Sequence, residues 1–228
     1  MTEQTKLNTI SCQGVSDNTF IISKSFTQFV SNLRSDIIEI HRRIIYMRKD
    51  LGDKMLFMPL PVLMLATYDQ DGKSNVMNAA WGGVYDYNQV YVSLSKHKTT
   101  DNLELKKAFT LSFATKKTEK ISDYFGVVSG NKEDKIEKSG VHVTPSKYVD
   151  APIIEEYPLT LECEMESFED GILVGKVVNT SIDENYLDEN GKIDVEKMQI
   201  IAFDMVSNTY RVLGDVVGKA FKDGLDMK

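Results

Sequence analysis

Ser74-Asn-Val-Met-Asn-Ala-Ala-Trp-Gly-Gly83 and, one short strand later, Ser95-Lys-His-Lys-Thr-Thr-Asp-Asn-Leu103 decide the reading of this chain. The first segment sets small residues beside the only tryptophan. The second sets Lys96, His97 and Lys98 ahead of Thr99 and Thr100, where a helix is expected to begin. Small residues beside an aromatic wall admit a flat ring. Hydroxyls, cations and the unpaired N–H groups of a helix start attract a phosphate. Together the two segments point to a flat aromatic ligand carrying a phosphate.

Around these segments the chain reads as strands with short helices. Pro59 and Pro61 set an extended lead-in, and Val62 to Tyr68 is apolar and β-forming. Asp69-Gln-Asp-Gly72 is a hairpin-type turn, after which Ser74 to Tyr85 returns and Gln89 to Leu94 follows. Thr100 to Ala108 is expected to be helical, with Asp101-x-x-Glu104 as its capping box. Phe109 to Ala114 is a strand and Thr118 to Val128 a helix, with Ile121, Tyr124, Phe125 and Val128 on one face. Asn131 to Ser139 reads as a charged surface helix. In Leu159 to Phe168, Leu159, Leu161, Cys163 and Met165 point one way, and Glu162, Glu164 and Glu166 are expected to face water. Ile172 to Asn179 pairs back across Glu169-Asp-Gly171, and Ile200 to Phe203 and Tyr210 to Leu213 are late strands. Strands at regular spacing with helices inserted predict a mainly β, antiparallel barrel, not a doubly wound parallel sheet.

Composition narrows the function. With 228 residues, 42% hydrophobic and 27% charged, the chain suits a globular protein. A net charge of −7 argues against nucleic-acid binding and requires any phosphate site to be built locally. Cys12 and Cys163 form no C-x-x-C pair, which fits a reducing compartment. No apolar run has the length of a membrane span, and the first residues lack the apolar segment of a secretory signal. A cytoplasmic location is expected. His41, His97 and His142 have no metal-ligand spacing, and neither G-x-G-x-x-G nor G-x-S-x-G occurs. Asp188-Glu-Asn-Gly191 reads as a surface turn, and the Asn179-Thr-Ser181 sequon as accidental.

Residues 1–46 stand apart from the rest. Positions 1–23 are polar and without period, while Phe26, Phe29, Val30, Leu33, Ile37, Ile40 and Ile44 recur at helical spacing. Two readings stand: an amphipathic helix, or a translated leader. The second arises because Arg42-Arg43 can be encoded as AGG-AGG, a ribosome-binding sequence three codons ahead of Met47.

From Met47-Arg-Lys-Asp-Leu-Gly52 to about Gly218 the chain resembles the flavin reductase-like family of FMN-binding split-barrel proteins, flavoredoxin type. The two opening segments carry the resemblance. Ser129-Gly-Asn-Lys-Glu-Asp-Lys135, Asp150-Ala-Pro152, Leu187-Asp-Glu-Asn-Gly-Lys-Ile-Asp194 and Asn208-Thr-Tyr-Arg-Val-Leu-Gly214 follow in order. It implies that residues 47–228 form one FMN-binding domain, paired as a homodimer, and that residues 1–46 are an extension. It also implies that Asn75, Asn78, Ala79, Ala80, Trp81, Ser95, Lys98, Thr99, Thr100 and Asn102 bind FMN, with Lys135, ahead of Lys132, holding the phosphate. Asn75 and Asn78 lie three apart, so on a regular strand they face opposite ways. Both can serve one ligand only if the strand bends or ends near Ala79. Trp81 is either a core residue or, as the resemblance favours, a wall of the flavin slot. The implied activity is hydride acceptance at flavin N5 from NADH or NADPH, a transient co-substrate, with no catalytic side chain required. The alternative is an electron carrier exchanging electrons with a redox protein partner.

Overall fold

The computed structural model describes residues 24–45 and 48–227. Cys12 and the polar stretch 1–23 therefore lie outside the described residues, as does Met47. The chain divides into two units, Met1–Lys54 and Met55–Lys228. In the first, Lys24–Ile45 is a helix of 22 residues, α1. Its Phe29, Val30, Leu33, Ile37 and Ile38 are exposed.

The second unit is built mainly of antiparallel strands. In chain order these are β1 (Leu60–Pro61), β2 (Leu63–Tyr68), β3 (Ser74–Ala79), β4 (Gly82–Asp86), β5 (Gln89–Ser93), β6 (Ala108–Phe113), β7 (Val143–Pro145), β8 (Pro152–Ile154), β9 (Leu159–Glu169), β10 (Ile172–Ile182), β11 (Ile201–Asp204) and β12 (Thr209–Val212). The helices are α2 (Lys98–Lys106), α3 (Glu119–Val127), α4 (Lys135–Ser139) and α5 (Val195–Met198). A seven-stranded sheet runs β3-β2-β6-β9-β10-β5-β4 and curls into a half-barrel, with β1-β11-β12 and β7-β8 as small sheets beside it. This is the split-barrel architecture.

Strand β2 explains the two cores. It is buried on both faces, so the near-continuous apolar run Leu63–Ala66 feeds both. Leu63 and Leu65 join Ala79, Val92, Leu103, Phe109, Leu111, Cys163 and Leu173 inside the barrel. Met64 and Ala66 join Val62, Val76, Phe125, Ile154 and Ile201 outside it, beneath α3. The interior is tight where the Phe109 ring of β6 reaches past β9 to β10: a Cβ at Gly175 would overlap that ring.

Several expectations are corrected. The strand expected over 74–85 is two strands, broken at Ala80-Trp81. The helix expected from Thr100 begins at Lys98, and Asp101-x-x-Glu104 is not its cap. Instead the Thr100 hydroxyl closes the first turn, accepting the His97 N–H at 3.1 Å and donating to the His97 carbonyl at 2.7 Å. The helix expected over 131–139 shortens to α4, because the Asp134 carboxylate caps it by accepting the Ile136 and Glu137 N–H groups. Glu162, expected to face water, is 1% exposed. It accepts hydrogen bonds from Ser146 Oγ and, at 2.6 Å, from Asn179 Nδ2. The face is as expected. What differs is its cover: Thr110 on that face donates to the Pro152 carbonyl at 2.6 Å, holding the β7-β8 hairpin over it. Glu164 and Glu166, beyond that cover, are exposed. No helix among the described residues is long and apolar enough to cross a membrane.

Candidate functional site

The break at Ala80-Trp81 makes the site. Strand β3 ends at Ala79, and Trp81 turns outward, 57% exposed. Beside it lies a cavity of about 310 Å³, lined by Asn78, Ala79, Ala80, Trp81, Ser95 and His97 on one side. Asp123, Gly126, Val127, Phe203 and Tyr210 line the other. Trp81 is thus a cavity residue and not a core one. The second wall comes from α3 and from the β11-β12 hairpin. Tyr210 Oη donates to Asp123 Oδ1 at 2.8 Å, tying β12 to α3. Burial, then the hydrogen bond to Asp123, pushes the Tyr210 hydroxyl up to about 12, so it stays protonated at neutral pH. Its ring lies 6.0 Å from that of Phe203.

A second, smaller cavity of about 100 Å³ shares Met77, Asn78, His97 and Gly126 with the first. Its other linings include Asn75, Lys98, Thr99, Ser129, Gly130 and Lys135. They arrive from four separate parts of the chain. Asn75 is on β3, Lys98 and Thr99 open α2, Ser129 and Gly130 follow α3, and Lys135 opens α4. Asn75 is buried, and its Nδ2 donates to Thr99 Oγ1 at 2.8 Å, fixing the helix start against the strand. Gly130 is required by close approach: a Cβ there would collide with Asn75 Oδ1. Asn75 and Asn78 do face opposite ways, for Asn78 Nδ2 donates to the Ser122 carbonyl under α3, at 3.0 Å. Because β3 is the edge strand of the sheet, both still border this cavity, and the strand ends at Ala79.

Lys135 is the unusual group. It is 5% exposed, yet its Nζ donates to one carbonyl, that of Phe125, at 3.1 Å. Burial, reinforced by the nearby Lys98 charge, pushes the Lys135 ammonium down to about 8. Lys98 itself pairs with Asp69 at 3.1 Å. A buried ammonium with one neutral partner and a second cation beside it is a place for an anion. Lys132 is exposed and lines a neighbouring hollow only.

The sequence reading named most of this constellation, but not all. Thr100 and Asn102 are buried and line neither of these two cavities; Thr100 serves the helix start, and Asn102 Nδ2 donates to Thr67 Oγ1 at 3.0 Å. His97, which borders both cavities, was counted only for its charge. Asp123, Phe203 and Tyr210 were not expected here, since nothing in their local pattern marks them. Among the described residues no cluster of His, Cys, Asp or Glu could hold a metal ion.

Residues 55–197 match the family model described as flavin reductase like domain. The structure of flavoredoxin of Desulfovibrio vulgaris (Miyazaki F) is 33% identical, with a TM-score of 0.75, over 78% of this chain and 100% of that one. Flavoredoxin from Methanosarcina acetivorans is 27% identical, with a TM-score of 0.72, over 80% and 100%. Nitrilotriacetate monooxygenase component B from Bacillus cereus shares the fold at 17% identity, with a TM-score of 0.64, over 76% and 98%. Among curated proteins no match was found. Domain match, flavoredoxin likeness and split-barrel sheet agree, and the chain belongs to the flavin reductase-like family.

Proposed function

We propose that this protein binds FMN noncovalently and works as an oxidoreductase, taking a hydride from NADH or NADPH and passing electrons to an acceptor. The observation that carries the reading is the buried, nearly unpartnered Lys135 ammonium, set with Lys98 and Thr99 around a small cavity that opens beside the Trp81 slot. The residues fit the group. A phosphate in the smaller cavity would neutralise the Lys135 ammonium, with the Asp69-paired Lys98 beside it, and meet the Thr99 and Ser129 hydroxyls. A flat ring in the larger one would have the Ala79–Trp81 backbone along an edge and the indole as a wall.

When bound, the flavin supplies the redox chemistry at N5. The chain's own residues bind, orient and exclude water. No side chain needs to hand over a proton for hydride acceptance. The exposed Trp81 side leaves an approach for a planar nicotinamide, whose reaction depends on ring alignment. A homodimer and a cytoplasmic location, where both nicotinamides are at hand, belong to the same reading.

The flavoredoxin likeness favours a second reading, an electron carrier that exchanges electrons with a protein partner. The net charge of −7 suits a basic partner. Two measurements separate the possibilities. Purified protein should show the two visible absorption bands of a flavin; their failure to appear after FMN is added would refute cofactor binding. Anaerobic mixing with NADH or NADPH should bleach those bands rapidly. Bands that persist through both nicotinamides leave the carrier.

A further inference from the structure

We infer that α1 is one half of a parallel two-stranded coiled coil whose other half is the same helix of a second copy of this chain. The apolar positions of α1 do more than follow a helical period. Phe26, Val30, Leu33, Ile37, Ile40 and Ile44 are spaced alternately by four and three, the heptad pattern of a helix that pairs along one seam. In that register Val30, Ile37 and Ile44 occupy the first apolar position of each heptad, and Phe26, Leu33 and Ile40 the second. In a parallel arrangement, β-branched residues at the first position with leucine at the central second position favour two strands. The middle of the stripe is open: Val30, Leu33 and Ile37 are exposed on a helix of 22 residues, and Phe29 widens the same face.

Charge selects the orientation. The flanking positions hold Thr27, Arg34 and His41 on one side of the seam and Phe29, Asp36 and Arg43 on the other. In a parallel pair the flanking residue before the seam meets one five positions later on the partner, which sets Asp36 opposite His41. In the antiparallel pair that aligns all six apolar layers, the centre lies at Ser35. Arg34 would then face Arg34 and Asp36 would face Asp36, two like-charge pairs. The self-complementary stripe and its flanks therefore name a second copy in parallel as the occupant.

Cysteine cross-linking of the full chain tests this, with Cys12→Ser as background. Leu33→Cys and Ile37→Cys, on the seam, should each give a covalent dimer under mild oxidation. Ser35→Cys, on the opposite face, should give at least fivefold less. Two seam positions guard against one variant failing to fold. Equal yields at all three sites, or none at either seam position, would overturn the proposal. Cross-linking confined to a mixture of Leu33→Cys and Ile37→Cys chains would show an antiparallel pair and overturn it as well.

Discussion

Lys135 settles what one side chain can do in this site. A lysine whose folded value is depressed costs stability while it is charged, that is below about pH 8, and the cost disappears as pH rises above the ordinary lysine range. Lys135→Met should therefore raise the melting temperature of the flavin-free protein at pH 7. The same change should weaken FMN roughly ten- to a hundredfold, since a charge-assisted hydrogen bond is worth about 1.5–3 kcal/mol. Riboflavin, which lacks the phosphate, should bind the variant and the native protein alike. The native protein's FMN affinity should be highest near pH 7, above the second ionisation of the phosphate at about 6, then fall by up to about tenfold per pH unit beyond about pH 8 as the free ammonium deprotonates, with riboflavin flat throughout. Calorimetric titration of both flavins across pH checks each outcome. At Trp81 the exposed indole should lose fluorescence as FMN is added and regain it when FMN is removed; an unchanged signal would put the ring elsewhere. The sequence showed the lysines, threonines and asparagines of this site because their chemistry is local. It did not separate Lys135 from Lys132 on physical grounds, since what separates them is burial, which residues distant in sequence create. Nor did it show Tyr210 or Asp123, which meet only when β12 docks on α3.

At the scale of elements, what was legible is what one strand or helix determines alone. The alternation in β9 gave its two faces, and the apolar, β-forming run from Val62 to Tyr68 gave a strand. Covers and caps were not legible, because they are made by residues distant in sequence. Glu162 is the clearest case, since its partners are Ser146 and Asn179 on other elements. The start of α2 was misplaced for a related reason. Asp101 and Glu104 offered a familiar capping pattern, but both are exposed, and the Thr100 hydroxyl holds the turn instead. A close contact inside the barrel should tolerate little change. At Gly175 even one added methyl must displace Phe109 inside the barrel. Gly175→Ala should cost about 1–3 kcal/mol by overpacking, read as a lower denaturant midpoint with unchanged slope. Gly191→Ala, on a surface turn with open space around it, would be strained only by its backbone, at a φ of +72°.

For the whole molecule, the second unit has its own interior and outer cores, and all the residues of both cavities lie within it. A chain beginning at Met47 should therefore fold and bind FMN with the affinity of the full chain. An insoluble product, or one with much weaker binding, would make the extension part of the domain. One feature of the barrel interior gives this molecule a built-in gauge. Cys163 is fully buried, and burial pushes its thiol up to about 12. At pH 7 only about one such thiol in 10⁵ is ionised, and it is the thiolate that reacts. Alkylating reagents can thus reach this sulfur only when the barrel opens. Since the sequence has no other cysteine after Cys12, the slow phase of thiol labelling in a chain beginning at Met47 would time the opening of the barrel itself, and its slowing by flavin would measure how firmly the ligand locks the sheet.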